Sequence, residues 1–291
     1  MNSLSIALPP HFSVATFLDF HGRDQHAISE KVEDRVLNKA ITLDSQPCLL
    51  TMDFNQLGQV CTASNTLTGP PLSRQAHAML GLNQPIETFE QAMAERTPLS
   101  SLVHKQRGLR VPQSATPFEA LSWAIIGQQI SVSAATAIRR RFIQLASPEE
   151  IGGLCCYPDA AAVSLLDANA LRSVGFSASK ADTLLAVSRR CCDHQLLPDA
   201  LRSDTDAQDL ERDLLAIRGL GPWSVNYTLL RGYGYLDGSL HGDVAVQKAL
   251  ERLLGWNERP TAKATRDWLV DFTPWRALVA AHLWQSLLLQ A

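Results

Sequence analysis

The chain is 291 residues long, 46% apolar, with a formal net charge of −3. That size and apolar share suit two or three compact units with buried cores. No stretch has the apolar length needed to cross a bilayer, and MNSLSIALPP lacks the basic start and apolar run of a secretory signal. The expectation is a soluble, cytoplasmic protein whose near-neutral charge rules out capture by whole-chain attraction, though not a nucleic acid gripped by one local face.

The first part of the chain reads as strands. Residues 35–43, 48–54 and 60–64 are rich in strand formers, with Asp44-Ser45-Gln46-Pro47 and Asn55-Gln56 as turns between them. They predict a small antiparallel sheet accompanied by a helix. Gly69-Pro70-Pro71 marks a boundary. It divides an α+β unit at 1–78 from a region at 79–291 that reads helical almost throughout.

Within that region Thr116-Pro117-Phe118-Glu119 combines an N-cap, Pro at the first helical position and Glu at the third. The helix it starts is interrupted at Gly127-Gln128-Gln129, and a second runs from about Ser131 to Leu145. Lys105, Arg107 and Arg110 form one basic cluster and Arg139-Arg140-Arg141 another; each suits either a solvated face or part of a nucleic-acid footprint. Asp167 to Phe176, then Lys180 to Arg190, read as a helix–turn–helix pair with Gly175 closing the first helix, and serve as scaffold. The cysteines (Cys48, Cys61, Cys155, Cys156, Cys191 and Cys192) form no C-x-x-C and no zinc spacing, so free thiols are expected.

The densest signals lie between Leu214 and Gln247. A helix with Thr205 as N-cap and Gln208 three residues on carries Leu210, Leu214 and Ile217 on one face. It ends in Ile217-Arg218-Gly219-Leu220-Gly221, and the next helix begins at Pro222, which has no N–H to leave unpaired. Two glycines one residue apart permit a tight hairpin and close approach by another backbone. The free N–H groups of the second helix suit a phosphate. Trp223 and Tyr227, four residues apart, put two rings on one face. That helix runs out at Gly232 to Gly234, and Gly242-Asp243 opens another apolar pattern, Val244 to Leu254. By itself G-x-G at a helix start is an ordinary helix–helix turn, and Asp at a helix start is an N-cap worth about 1 kcal/mol.

Leu220-Gly221-Pro222-Trp223-Ser224-Val225-Asn226-Tyr227 followed by Gly242-Asp243 resembles the helix-hairpin-helix signature of DNA glycosylases, in its alkylbase-excising, 3-methyladenine branch. Phe118-Glu119-Ala120, residues 124–132, Pro274-Trp275-Arg276 and His282-Leu283-Trp284 match the same family, and the similarity runs in order from about residue 10 to 290. The resemblance implies an α+β fold, a small antiparallel N-terminal domain followed by helical subdomains around a cleft. It implies a repair enzyme that flips a damaged base out of double-stranded DNA. Asp243 would stabilise the oxocarbenium-like sugar and orient water. Trp223, Tyr227, Trp275 and Phe17 would form the base pocket, favouring a cationic alkylated purine through their ring quadrupoles. Gln129 would fill the vacated stack, where the alkylbase relatives carry an apolar residue. Backbone N–H groups at Gly219, Gly221 and Trp223 would bind phosphate. The carbonyls of Leu215, Ile217 and Leu220 would hold a monovalent Na⁺ or K⁺.

Two departures refine this expectation. Lyase-competent relatives carry a nucleophilic Lys where this chain has Trp223, which implies a monofunctional hydrolase leaving an abasic site. Val244 stands where the alkylbase relative has Tyr beside the catalytic Asp. No Cys follows Cys192, so the iron–sulfur loop of endonuclease-III-like relatives is not expected. No further cofactor is implied, and a monomer is the default. Two alternatives stay open: a glycosylase of the same superfamily for deaminated or oxidised bases, and a non-catalytic hairpin protein that binds DNA.

Overall fold

The computed structural model describes residues 2–24, 26–147 and 149–288. The N-terminal part holds β1 (Asn2–Ala7), α1 (Val14–His21), β2 (Glu30–Glu33), β3 (Val36–Leu43), β4 (Gln46–Asp53) and β5 (Gln59–Ser64). The strands form one antiparallel sheet in the order β1-β5-β4-β3-β2. β3 and β4 pair Leu43 with Gln46 across Asp44-Ser45, both at positive φ (48° and 59°), the two-residue turn that matches strand twist. The three predicted strands are present. β1 and β2 join them as the sheet edges, β1 with the alternation Ser3-Leu4-Ser5-Ile6.

Gly69-Pro70-Pro71, read as a boundary, is instead the first turn of α2 (Gly69–Leu80), with Thr68 at the N-cap and Pro in the first positions. Proline suits a helix start as well as a linker, because the first N–H groups are unpaired in any case. The helix buries Leu72, Ala76, Met79 and Leu80 in the same hydrophobic cluster as Ile6, Leu50 and Val60 of the sheet.

The helical part continues with α3 (Ile86–Met93), α4 (Leu99–Lys105), α5 (Pro117–Gly127), α6 (Val132–Ala146), α7 (Ala160–Ser164), α8 (Ala168–Ser173) and α9 (Ala178–Cys192). After these come α10 (Asp204–Leu215), α11 (Pro222–Tyr233), α12 (Val244–Leu254), α13 (Ala262–Leu269) and α14 (Arg276–Leu288). A two-stranded ribbon, β6 (Glu150–Ile151) with β7 (Leu154–Cys155), precedes α7. One core runs without a break from the sheet through Leu121 and Ile125 of α5, Phe142 of α6 and Leu184 of α9 to Val225 and Leu229 of α11. A second contains Phe89 of α3, Tyr227 and Leu230 of α11, Leu250 of α12 and Leu278 of α14. Helix α11 lies between the two cores, and every residue from Ser224 to Leu230 is buried. Its Gly232 lets α5 come close: a Cβ there would sit 3.0 Å from Pro117 Cα.

A buried ionic network ties the sheet to the helices. Lys39 of β3 pairs with Glu30 of β2 and, at 2.7 Å, with Glu119 of α5. Arg139 of α6 reaches Glu30 at 3.1 Å, Asp24 and Glu119 at 3.4 Å, and donates to Ser29 Oγ at 3.0 Å. Burial pushes the Glu30 carboxyl up, but Lys39 and Arg139 outweigh it and hold the group well below the usual carboxylate range. Two expectations change here. Glu119 accepts from the Ala115 N–H at 2.9 Å rather than closing a box on Thr116, although Thr116 does cap the helix. Arg139 is buried in this network, and Arg110 is spent on the carbonyls of Gly81 and Gln84 and on Glu87, so neither faces DNA.

Candidate active site

The hairpin is built as the sequence suggests, with one shift. Helix α10 starts at Asp204, and its cap is Ser203, whose Oγ accepts the Asp206 N–H at 3.2 Å; Thr205 lies inside the first turn. The turn closes through Leu220 N–H donating to Ile217 O at 3.1 Å. Gly219 has φ +94°, and a Cβ there would fall 2.0 Å from Thr183 Oγ1 on α9. That hydroxyl donates to Arg218 O at 3.0 Å, so the hairpin is seated on α9 by a contact only glycine allows. Gly221 is the N-cap of α11, with open space where a Cβ would be, so a backbone or phosphate can approach. The carbonyls of Leu215, Ile217 and Leu220 stand at the end of α10 and in the turn. Ile217 O already accepts one N–H, while the other two accept no loop or turn backbone bond among the described residues.

The break between α5 and α6 is fastened to the same hairpin. Gln128 Nε2 donates to Gly219 O and to Ser224 Oγ, both at 2.9 Å. Lys180 Nζ holds the carbonyls of Ile126 and Gln128, each at 2.8 Å. Gln129 follows at φ +56°, exposed at the tip, with Ile130 and Val132 also exposed. A non-glycine residue in the left-handed region is costly and is tolerated when its surroundings hold it there. Here the Gln128 and Lys180 bonds do so.

Asp243 is the N-cap of α12. Its Oδ1 accepts the N–H groups of Ala245 (2.8 Å) and Val246 (3.0 Å) and the Trp284 indole N–H (3.1 Å). Its Oδ2 accepts the Trp223 indole N–H at 2.7 Å. Four donors on one side chain leave Oδ2 with the most unused lone-pair capacity. Capping therefore positions the carboxylate rather than competing with a chemical role. Trp223 and Tyr227 lie with ring centroids 5.3 Å apart. Val244 is exposed next to the carboxylate.

Trp284 joins the expected aromatic set as the second indole on Asp243. Trp275 is half-buried, edge-on to Phe89 at 5.8 Å, and packs against the second core together with Trp223 and Trp284. Phe17 is 1% exposed and packs on Phe54 and His21, inside the first core. Phe20, one turn on, lines a shallow cleft beside Tyr227, with Trp123, His21, Arg23 and Ser114 also on its wall. Phe17, Phe20 and His21 share one face of α1, with Phe17 and His21 buried and Phe20 at its edge, where it borders the cleft.

Two cations face these rings. Arg23 lies 4.2 Å from the Phe20 centroid and 5.6 Å from that of Trp123. Arg231 lies 4.3 Å from the Phe20 centroid and 5.7 Å from that of Trp284. The paired rings of Trp223 and Tyr227 have no such partner among the described residues.

A glycine hairpin seated to offer its N–H groups, a loop tip held in a strained conformation and a carboxylate clamped by two indoles make a site suited to nucleic-acid base chemistry. The model of the HhH-GPD superfamily of base excision DNA repair proteins matches residues 122–274, and the chain belongs to that family. Among similar proteins is the DNA-3-methyladenine glycosylase of Bacillus subtilis, 23% identical over 97% of this chain and 96% of its own. DNA-3-methyladenine glycosylase 2 of Escherichia coli is 26% identical over 62% of this chain and 61% of its own. In fold, the 3-methyladenine DNA-glycosylase from Archaeoglobus fulgidus superposes with a TM-score of 0.79 at 20% identity, covering 97% of both chains. The 8-oxoguanine glycosylase/lyase of Clostridium acetobutylicum gives 0.71 at 14% identity over 97% and 95%. No helix among the described residues is long and apolar enough to cross a membrane.

Proposed function

We propose that the protein is a monofunctional DNA N-glycosylase that excises alkylated purines of the 3-methyladenine and 7-methylguanine type from duplex DNA, acting as a cytoplasmic, nucleoid-associated monomer. The observation that carries this reading is Asp243, held by two backbone N–H groups and two indoles at one end of the Trp223–Tyr227 face.

The flipped base stacks on Trp223 and Tyr227, with Gln129 entering the stack in its place and the N–H groups of Gly219, Gly221 and Trp223 gripping the backbone. Oδ2 of Asp243 faces the sugar. As the C1′–N bond breaks, the carboxylate stabilises the cationic sugar and receives the proton of the attacking water. A base that already carries positive charge departs neutral and needs no general acid, so one carboxylate is sufficient. Trp223 occupies the position of the lyase lysine, and the Lys180 ammonium is engaged by the carbonyls of Ile126 and Gln128 at the α5–α6 break; neither offers an amine to C1′. A monovalent cation suits the donor set of Leu215, Ile217 and Leu220 carbonyls, hard neutral oxygens at a turn, and would add positive charge beneath a phosphate.

Single-turnover release of free base from alkylated duplex DNA tests the proposal, comparing wild type with Asp243→Asn and assaying strand breaks before and after alkali. Release by wild type alone, with breaks only after alkali, is the expected result. Breaks without alkali would reveal a lyase, and release surviving the substitution would remove Asp243 from the chemistry. Duplex binding without release of any base would favour the non-catalytic reading.

A further inference from the structure

Hydrogen bonds around α9 join two surface elements that the proposed reaction uses together. Lys180 Nζ donates to Ile126 O and Gln128 O at the α5–α6 break, each at 2.8 Å. Three residues on, and so on the same face of α9, Thr183 Oγ1 lies 3.0 Å from Arg218 O in the hairpin turn. Gln128 closes the triangle, its Nε2 donating to Gly219 O and Ser224 Oγ, both at 2.9 Å. The break also lies against the aromatic face: a Cβ on Gly127 would stand 3.8 Å from Trp223 Cη2.

Part of this arrangement is ordinary. A lysine at the C-terminus of α5 satisfies carbonyls that any helix leaves unpaired. Two features go beyond capping. Both acceptors of the Gln128 amide belong to the hairpin and α11, and neither to its own loop. The next residue, Gln129, stands exposed at φ +56°, a conformation that persists only where its surroundings fix it. The tip proposed to enter the base stack and the turn proposed to grip phosphate are therefore tied to each other and to one helix. Extruding a base costs a few kcal/mol by itself. A tip that became ordered only after DNA bound would add its own ordering to that cost.

We infer that Gln128 is a positioning residue that holds the Gln129 tip in register with the hairpin, with Lys180 and Thr183 as its supports, so that backbone grip and base flipping act as one unit. The inference rests on the glycosylase reading given above. Gln128 acts on flipping through Gln129, and not on bond cleavage at Asp243.

The test separates those two steps. Single-turnover release of 7-methylguanine is measured from a duplex with cytosine opposite the lesion and from one with a pyrene nucleotide opposite. Pyrene fills the stack by its own bulk and expels the base without help from the protein. Gln128→Glu keeps the length of the side chain and removes both donor hydrogens. It should slow release about tenfold or more with cytosine opposite, yet come within about threefold of wild type with pyrene opposite. Gln129→Ala should follow the same pattern, and Asp243→Asn should stay inactive on both duplexes. Slowing of Gln128→Glu by the same factor on both duplexes would reveal a general distortion of the site, and overturns the inference. An unchanged rate on both overturns it too, since the bonds would then have no part in flipping. Should Gln128→Glu fail to fold, Lys180→Met is read by the same criteria. No release by wild type from either duplex overturns the glycosylase reading and the inference with it.

Discussion

At the scale of single residues, the site is a question of which donors hold one carboxylate. Asn can accept the same cap hydrogen bonds as Asp through Oδ1 but turns its NH2 towards the Trp223 N–H, so Asp243→Asn should keep the cap and lose that indole bond, whereas Asp243→Ala should lose the cap as well, about 1 kcal/mol more. Thermal unfolding of the two variants beside their base-release rates separates capping from chemistry. Trp284→Phe keeps an aromatic ring on the second core but removes the N–H on Oδ1 together with part of the indole's bulk. It should slow release about tenfold with little change in melting temperature, the usual size of an effect on a group that orients a functional one. An unchanged rate would show that Trp223 alone positions the carboxylate. Asp243, Trp223 and Tyr227 were legible in the sequence because they lie within one hairpin and the helix start after it. Trp284 was not, since nothing local distinguishes its indole from the buried ones and its partner is 41 residues away in the chain.

At the scale of elements, the two hairpin glycines have separate duties that substitution should resolve. Gly219→Ala puts a methyl group into Thr183 at a positive φ. It should cost about 1–3 kcal/mol of stability and weaken duplex binding as the turn shifts off α9. Gly221→Ala meets nothing within 4 Å and has an ordinary φ of −112°. Its stability should stay within about 0.5 kcal/mol of wild type, as at other uncrowded surface positions. Its affinity for a fluorescent duplex should nonetheless fall if a phosphate approaches the N-terminus of α11. Equal stability losses for the two would mean that both glycines serve only the turn. The hairpin could be read locally because a G-x-G followed by Pro carries its geometry in its own backbone. The burial of Phe17 and the placing of Phe20 at the cleft could not, because residues three apart share a helix face and only the packing decides which of them is covered.

At the scale of the whole molecule, buried polar groups join distant segments and set the response to acid. His282 of α14 is fully buried; as the neutral ring its Nδ1–H donates to Gln106 Oε1 at 2.8 Å, while Gln106 Nε2 donates to the His282 carbonyl at 3.1 Å. Burial pushes its pKa down to about 3, against about 6.5 when exposed in the unfolded chain. The unfolded state therefore binds the extra proton first. The stability this group contributes is complete above pH 6.5 and is lost as pH falls towards 3, by up to about 1.4 kcal/mol per pH unit. Unfolding midpoints from pH 7.5 to 4 should fall more steeply for wild type than for His282→Gln, and parallel curves would refute this. Lys39→Met leaves Glu30 and Glu119 short of a buried cation and should cost about 3–5 kcal/mol, read from denaturant midpoints.

The sequence by itself determined the elements whose signals are local: the hairpin, the capped starts of α5 and α12, the three central strands and the order of a sheet followed by helices. Turn chemistry, capping and periodicity act within a few residues, so they survive without knowledge of the neighbours. The same held for the likeness to glycosylases, carried by the hairpin and Asp243 together. Tertiary structure alone decided what those elements do to one another. It turned Arg139 inward, drew Glu119 into an ionic network and brought Trp284 to the carboxylate. Burial and long-range pairing are properties of the packed chain, and a side chain's type does not carry the partner it will meet.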